Sequence, residues 1–398
     1  MNLFAQFSKK SVVALAAIVF ISAPLVPGQT PRTPPRGSGP SQLNLLVLGD
    51  SILWGQGLKD EHKTWYQVKT WLQQAGGRDV REKICAHSGA LLAGETGAGI
   101  SVPLDSEVNS AIPTVNEELD DALRFYTDAS QVDLVLVDGC INDVSVFNLL
   151  NAGNTTDGIS QLAHSRCGPP MEALLNKTAR SFPNAHIIVT GYFPIISEKT
   201  PNSLLLRAVA RLFYQQASSP QAPQMKAQQL RTQLVAISRS WYQSSNEALS
   251  GAVLRTNNDL ARRHSRQRVQ FVEIPFPPAY AFGAKETRLW GINGSFLRKL
   301  LAVLTLGKVT LKTNDERRGQ RVASCNEFFR RPEKEDKNHR KDRELRRMLC
   351  YYASIGHPNR KGAEIYSEAI IERIKLMISD VGWIRAGQTN AAPTGPVR

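Results

Sequence analysis

Five short apolar runs punctuate the chain: Leu43–Leu48, Glu82–Ala86, Val132–Val137, His186–Thr190 and Val269–Ile274. Each has the length and composition of a strand. Between them, apolar residues recur at helical spacing over Lys63–Gln74, Val115–Tyr126, Pro170–Phe182 and Gln224 to about His264, and a closing helix is expected from about Asn359 to Ile378. Strands alternating with helices predict an α/β fold, a three-layer α/β/α arrangement in which a parallel sheet is covered on both faces. Two stretches exceed what such a sheet needs. One runs from Ile196 to about Ala222 and contains SLLLRAVARLFYQQ; the other, Ala284–Cys350, contains FLRKLLAVLTLGKVTL. Both are expected to be helical insertions, either ordinary packing elements or a cover for the site and an acyl channel.

Composition changes the picture mainly at the ends. The 398 residues are 42% hydrophobic, ordinary for a chain with a real core. Residues 1–28 place Lys9 and Lys10 before an apolar stretch from Val12 to Val26, which is short for a membrane span and suits a signal peptide. Cleavage after Ala23 or Gly28 would fit, an uncleaved membrane anchor being the alternative. Export is therefore expected. Residues 29–42 form a Pro/Gly-rich tether, residues 43–380 the folded domain with its insertions, and residues 381–398 a flexible tail.

The formal net charge of +14 favours anionic neighbours such as an envelope polymer or membrane surface. No nucleic-acid motif accompanies it, so specific nucleic-acid recognition is not expected. The run Arg330–Arg347 mixes both signs and reads as a solvated helix or loop. Five cysteines in an exported chain suit one or two bridges and a free thiol, and their spacings match no zinc pattern. Cys325 and Cys350 flank a charged insertion and form the expected bridge, able to stabilise by about 3 kcal/mol.

In sheets of this kind, chemistry gathers beyond the carboxyl ends of the strands. The first strand ends in Gly49-Asp50-Ser51, the second is followed by AHSGA with Gly89, and the third by GCINDV with Asn142 and Asp143; late in the chain, ASIGHPN supplies His357. A serine hydroxyl needs a neighbouring base, and imidazole is suited to that task near neutral pH. The charge that builds on an attacked carbonyl oxygen needs fixed donors. Asp50 and Asp143 read as structural acceptors bracing their loops.

These four blocks, in this order, resemble the SGNH or GDSL hydrolase family over about Asn44–Ile378. The resemblance implies a flavodoxin-like sheet and esterase or lipase-like activity. It also implies Ser51 as nucleophile, His357 as base, and an oxyanion hole made by the Ser51 and Gly89 N–H groups with the Asn142 side chain. No cofactor or metal is implied. The substrate would be an acyl ester, from a lipid or an acylated carbohydrate. Acyl transfer to a sugar hydroxyl on the same site, or a non-catalytic binding role for the scaffold, are the alternatives. One position departs from the pattern: the family's acid, three residues before the histidine, is here Ser354. Its carbonyl or hydroxyl could orient the ring in a Ser–His dyad, or an acid could reach in from an insertion. There is no G-x-S-x-G elbow.

Overall fold

The computed structural model describes residues 42–92, 105–203, 206, 226–293, 312–330 and 337–381. In chain order, β1 (Leu43–Leu48), α1 (Ser51–Trp54), α2 (Thr64–Gly76), β2 (Val80–Ile84), α3 (Val115–Phe125) and β3 (Leu134–Val137) come first. There follow α4 (Ile141–Val144), α5 (Val146–Leu149), α6 (Thr156–Ser181), β4 (His186–Thr190), α7 (Ala227–Arg262) and β5 (Val269–Val272). A small antiparallel pair, β6 (Ile292–Asn293) with β7 (Lys312–Thr313), then precedes α8 (Arg318–Phe328), α9 (Lys337–Tyr351) and α10 (Arg360–Val381).

The five long strands form one fully parallel sheet in the order β2-β1-β3-β4-β5. β1 and β3 are buried along almost their whole length, which explains why they read as continuous apolar runs rather than alternating ones. Right-handed crossovers that first run from β1 to β2, then reverse towards β3, put α2 and α3 on opposite faces. α2 packs with α10, and α3, α6 and α7 cover the other side. The reversal between β1 and β3 is the switch point at which sheets of this order open a crevice. Ser51 and Asn142 follow those two strands. The expected three-layer fold is therefore present.

Boundaries differ from expectation in instructive places. β2 starts at Val80 rather than Glu82, because Val80 pairs with Leu43 and an edge strand carries polar residues such as Arg81 and Lys83 without penalty. The helix expected to start at Pro170 begins at Thr156 and runs through Pro169 and Pro170. Its buried residues Ile159, Ala163, Cys167, Met171 and Leu175 recur every fourth position across the prolines. That stripe, laid along α7, outweighs the lost backbone donors. Within Ala284–Cys350 the described parts are the β6–β7 pair, α8 and most of α9, while FLRKLLAVLTLGKVTL lies outside the described residues. So do residues 1–28, the tether up to Ser41, most of the Ile196–Ala222 stretch and residues 382–398.

Cys325 and Cys350 are bridged, tying α8 to α9, and a second bridge joins Cys140 to Cys167. Cys85 is free. Among the described residues, no helix is long and apolar enough to cross a membrane, and no group of His, Cys, Asp or Glu is set to hold a metal ion.

Candidate active site

The turn after β1 is held by buried carboxyl groups as well as by backbone, the His87 N–H donating to the Gly49 carbonyl at 2.9 Å. The Gly49 N–H donates to Glu118 Oε2 at 2.7 Å, and the Asp50 and Leu53 N–H groups donate to the two oxygens of Asp138 at 2.7 and 3.0 Å. Asp50 caps α1 by accepting from the Ile52 N–H at 2.9 Å, and its other oxygen accepts from the Tyr192 hydroxyl at 2.5 Å. Asp50 thus does the structural work expected of it. Among the described residues the Ser51 N–H, in the midst of these, donates to nothing. Burial, reinforced by the nearness of one carboxyl to another, raises the pKa of Asp50, Asp138 and Glu118. At least part of this cluster is therefore neutral when ordinary surface carboxyls are ionised.

The second and third blocks are sewn together. Gly89 has φ +86°, and a β-carbon there would fall 2.7 Å from the Ser110 carbonyl, so only glycine fits. Its N–H, like that of Ser51, has no acceptor among the described residues. Asn142 Nδ2 donates to the Ala90 carbonyl at 3.0 Å, and Asp143 accepts from the Leu92 N–H at 2.9 Å. The Asn142 amide is thereby fixed through one hydrogen, leaving its second to point elsewhere. The short helix that carries it sits between two strained residues, Cys140 at φ 120° and Ser145 at φ 72°. The Cys140–Cys167 bridge anchors the first of these to α6.

His357 arrives from the far end of the chain. Leu289 bridges Pro358, and Trp290 exchanges backbone hydrogen bonds with His357 and Gly356 at 2.8 and 3.0 Å. This clamp places His357 Nε2 2.6 Å from Ser51 Oγ. Nδ1 has no hydrogen-bond partner among the described residues, although the carbonyls of Ser354 and Ile355 favour the charged ring. The residue is half-buried, yet burial of its surroundings, with a further push from the Arg321 cation, lowers its pKa to about 4. That is well below the ordinary histidine value of about 6.5.

Ser354 is fully buried, and its hydroxyl is bonded to Asp315 and Arg321 and not to the imidazole. It donates to Asp315 Oδ2 at 2.8 Å and accepts from Arg321 Nη2 at 3.1 Å. Its carbonyl accepts the His357 main-chain N–H at 3.0 Å. Among the described residues no acid from the insertion is hydrogen-bonded to His357; Asp315 bonds Ser354 and Arg321 instead.

Ser51, Gly89 and Asn142 follow three strands that are neighbours in the sheet, and His357 is in contact with the first of them. Sequence reasoning missed Glu118, Asp138 and Tyr192, which hold the turn. A signal existed for Glu118, an acid on the buried stripe of α3 with Val115, Leu119 and Ala122. Arg321 and Asp315 carried no such signal.

No family model matches this chain, and no curated protein does. Similar solved structures include an extracellular lipase from Streptomyces rimosus, at 12% identity over 67% of this chain and 100% of the other, with a TM-score of 0.38. Phospholipase A1 from Streptomyces albidoflavus is 12% identical over 66% of this chain and 98% of its own, with a TM-score of 0.40. A family 3 carbohydrate esterase from Clostridium thermocellum is 15% identical over 68% and 95% of the two chains, with a TM-score of 0.30. Likeness at this level leaves the activity of this chain to be argued from its own residues.

Proposed function

We propose that this chain is an exported serine ester hydrolase of the SGNH or GDSL type. The observation that carries the reading is the 2.6 Å contact between Ser51 Oγ and His357 Nε2 at the carboxyl edge of the sheet. In the working tautomer Nδ1 carries the ring proton and Nε2 accepts from the serine hydroxyl. Ser51 Oγ attacks the ester carbonyl carbon as Nε2 takes its proton. The N–H groups of Ser51 and Gly89 and the free Asn142 hydrogen receive the oxyanion. The C–O bond to the leaving alcohol then breaks, and the imidazolium returns its proton to that alcohol. Water, activated by the same ring, releases the acid from the acyl-enzyme. A base with a lowered pKa is neutral, and so ready to accept a proton, across the whole physiological range.

The substrate is an acyl ester of a lipid or a carbohydrate. A lipid-like ester is supported by the net positive charge and by Val146 and Phe147, exposed apolar residues that follow the Asn142 helix directly. The charged start and apolar core of residues 1–28 support export with removal of that segment.

Incubation with a fluorophosphonate, followed by mapping of the modified residue, tests the reading. The label should fall on Ser51, and Ser51→Ala should neither label nor hydrolyse a short aryl ester. Asn142→Ala should lose about 10²–10³-fold in kcat with little change in KM. Labelling that persists in Ser51→Ala overturns the assignment.

A further inference from the structure

We propose that Arg321 is a positioning residue for the Ser51–His357 pair, a buried guanidinium that locks the histidine loop, the Gly89 loop and the segment after Ser51 into one arrangement. The proposal rests on the hydrolase reading above and adds to it a residue that no motif contains.

Arg321 projects from α8 and is fully buried. Its fork grips both oxygens of Asp315, at 2.9 and 2.7 Å. From there it reaches four more partners, the first being Thr313 Oγ1, to which Nη2 donates at 3.4 Å. Nη2 donates to Ser354 Oγ at 3.1 Å, three residues before His357, and Nε donates to the Tyr351 carbonyl at 3.3 Å. Nη1 donates to Glu107 Oε2 at 3.3 Å. The other Glu107 oxygen accepts from the Gly57 N–H at 3.4 Å, and the Glu107 carbonyl accepts from Gln56 Nε2 at 3.0 Å. Beside Glu107, the Ser106 carbonyl accepts from the Ser88 N–H, and the Ser88 carbonyl from the Ser110 N–H, both at 3.1 Å, so the same loop brackets Gly89. Gly57 explains the second half of the glycine-rich stretch after Ser51: at φ +85°, a β-carbon there would lie 2.9 Å from Asp315 Cβ and 3.0 Å from Ser354 Cβ. The insertion therefore seats directly on the nucleophile segment.

An apolar plug could stabilise such a junction at least as well as a buried ion cluster. A guanidinium adds what a plug cannot, several directed bonds from one rigid plane and a fixed positive charge. That charge acts on His357, lowering its pKa, while Asp315 opposes it. Beyond them in the same cluster lie Glu107, Lys63 and Arg317. On the nucleophile side stand the buried carboxyls of Asp50 and Asp138. Two further cations are turned elsewhere: Arg360 at the start of α10 pairs with Glu364, and Arg288, beside the Leu289–Trp290 clamp, lies over the Tyr280 ring.

The test uses the full chain and two readouts: kcat and KM against pH for a short aryl ester, and NMR titration of the His357 ring, assigned by its loss in His357→Gln. Arg321→Met should move the acid limb and the ring titration upward together, by about 0.5–1 unit, because a nearby cation has gone. Arg321→Lys keeps the charge and should leave the titration near wild type, yet lower kcat about 5–10-fold with KM within about twofold, since one ammonium cannot span Ser354, Asp315 and Glu107. A His357 titration unmoved in folded Arg321→Met overturns the proposal, as does a wild-type kcat in Arg321→Lys. If Arg321→Met does not fold, Arg321→Lys alone decides. Wild-type protein that neither labels nor hydrolyses would break the hydrolase reading instead, and the ring titration would still report whether Arg321 governs His357.

Discussion

The two halves of the Ser51–His357 contact are held by opposite means. The Ser51 turn belongs to the sheet and is fixed by backbone N–H groups donating to the buried carboxyls of Glu118, Asp138 and Asp50. The His357 loop belongs to the insertion side and is fixed by an ion cluster centred on Arg321, Asp315 and Ser354. Burial raises the carboxyls of the first and the Asp315 pairing lowers that of the second. A nucleophile must sit in one place, and core backbone achieves that. A base must also have a suitable proton affinity, and fixed charges around it are the available lever.

The comparison breaks most readily at Asp138. Asp138→Ala leaves the Asp50 and Leu53 N–H groups buried and unpaired, at about 1–3 kcal/mol each. Urea denaturation should show that loss, with activity falling in step with the folded fraction. Unchanged stability would mean that the turn is held by something other than its carboxyls.

On the histidine side, the Cys325–Cys350 bridge closes a separation of 25 residues between the helix bearing Arg321 and the helix leading to Ser354. Replacing both cysteines with serine should cost about 3 kcal/mol. It should also lower kcat more than removal of the Cys140–Cys167 bridge lowers the protection of β1 from hydrogen exchange. A double variant with wild-type stability and kcat would make the clip irrelevant to the site.

Acid should separate the halves without any mutation. His357 is held neutral in the folded protein, with its pKa lowered to about 4, so the unfolded chain binds the extra proton. Its contribution to stability therefore falls as pH drops from about 6.5, the ordinary histidine value, towards 4. Asp315 stabilises above the ordinary carboxylate value and loses that contribution as pH falls through its lowered folded value. Asp138 and Glu118 have raised folded values, so their contribution instead falls as pH rises above the ordinary range and returns on acidification. Hydrogen exchange, corrected for intrinsic rate, should show α8 and the Tyr351–His357 segment opening before β1 and α1 between pH 7 and 4.5. The reverse order would contradict the division.

The smallest effect is expected at Ser354, the position where the usual acid is missing. Ser354→Ala removes one bond to Asp315 and one from Arg321, but keeps the carbonyl that accepts the His357 N–H. Because Arg321 retains both Asp315 oxygens, kcat should fall only about two- to threefold, the scale of one modest hydrogen bond. A severe loss would make the Ser354 hydroxyl the device that orients the ring.

The chain announced its parallel sheet through apolar runs whose period is local and survives in any context, and it announced Ser51, Gly89, Asn142 and His357 through their positions after strands and before a helix. Such signals depend on neighbours in sequence. The edges of β2 and α6 escaped, because pairing with Leu43 and packing along α7 overrode the local preferences of Glu82, Pro169 and Pro170. The environment of His357 escaped for a stronger reason. Glu107, Asp315 and Arg321 are scattered over the chain and share no period, each alone reads as a surface residue, and Ser354 was legible only as the position of a missing acid. Only the folded chain, by removing water from all four together, makes their charges matter to one another.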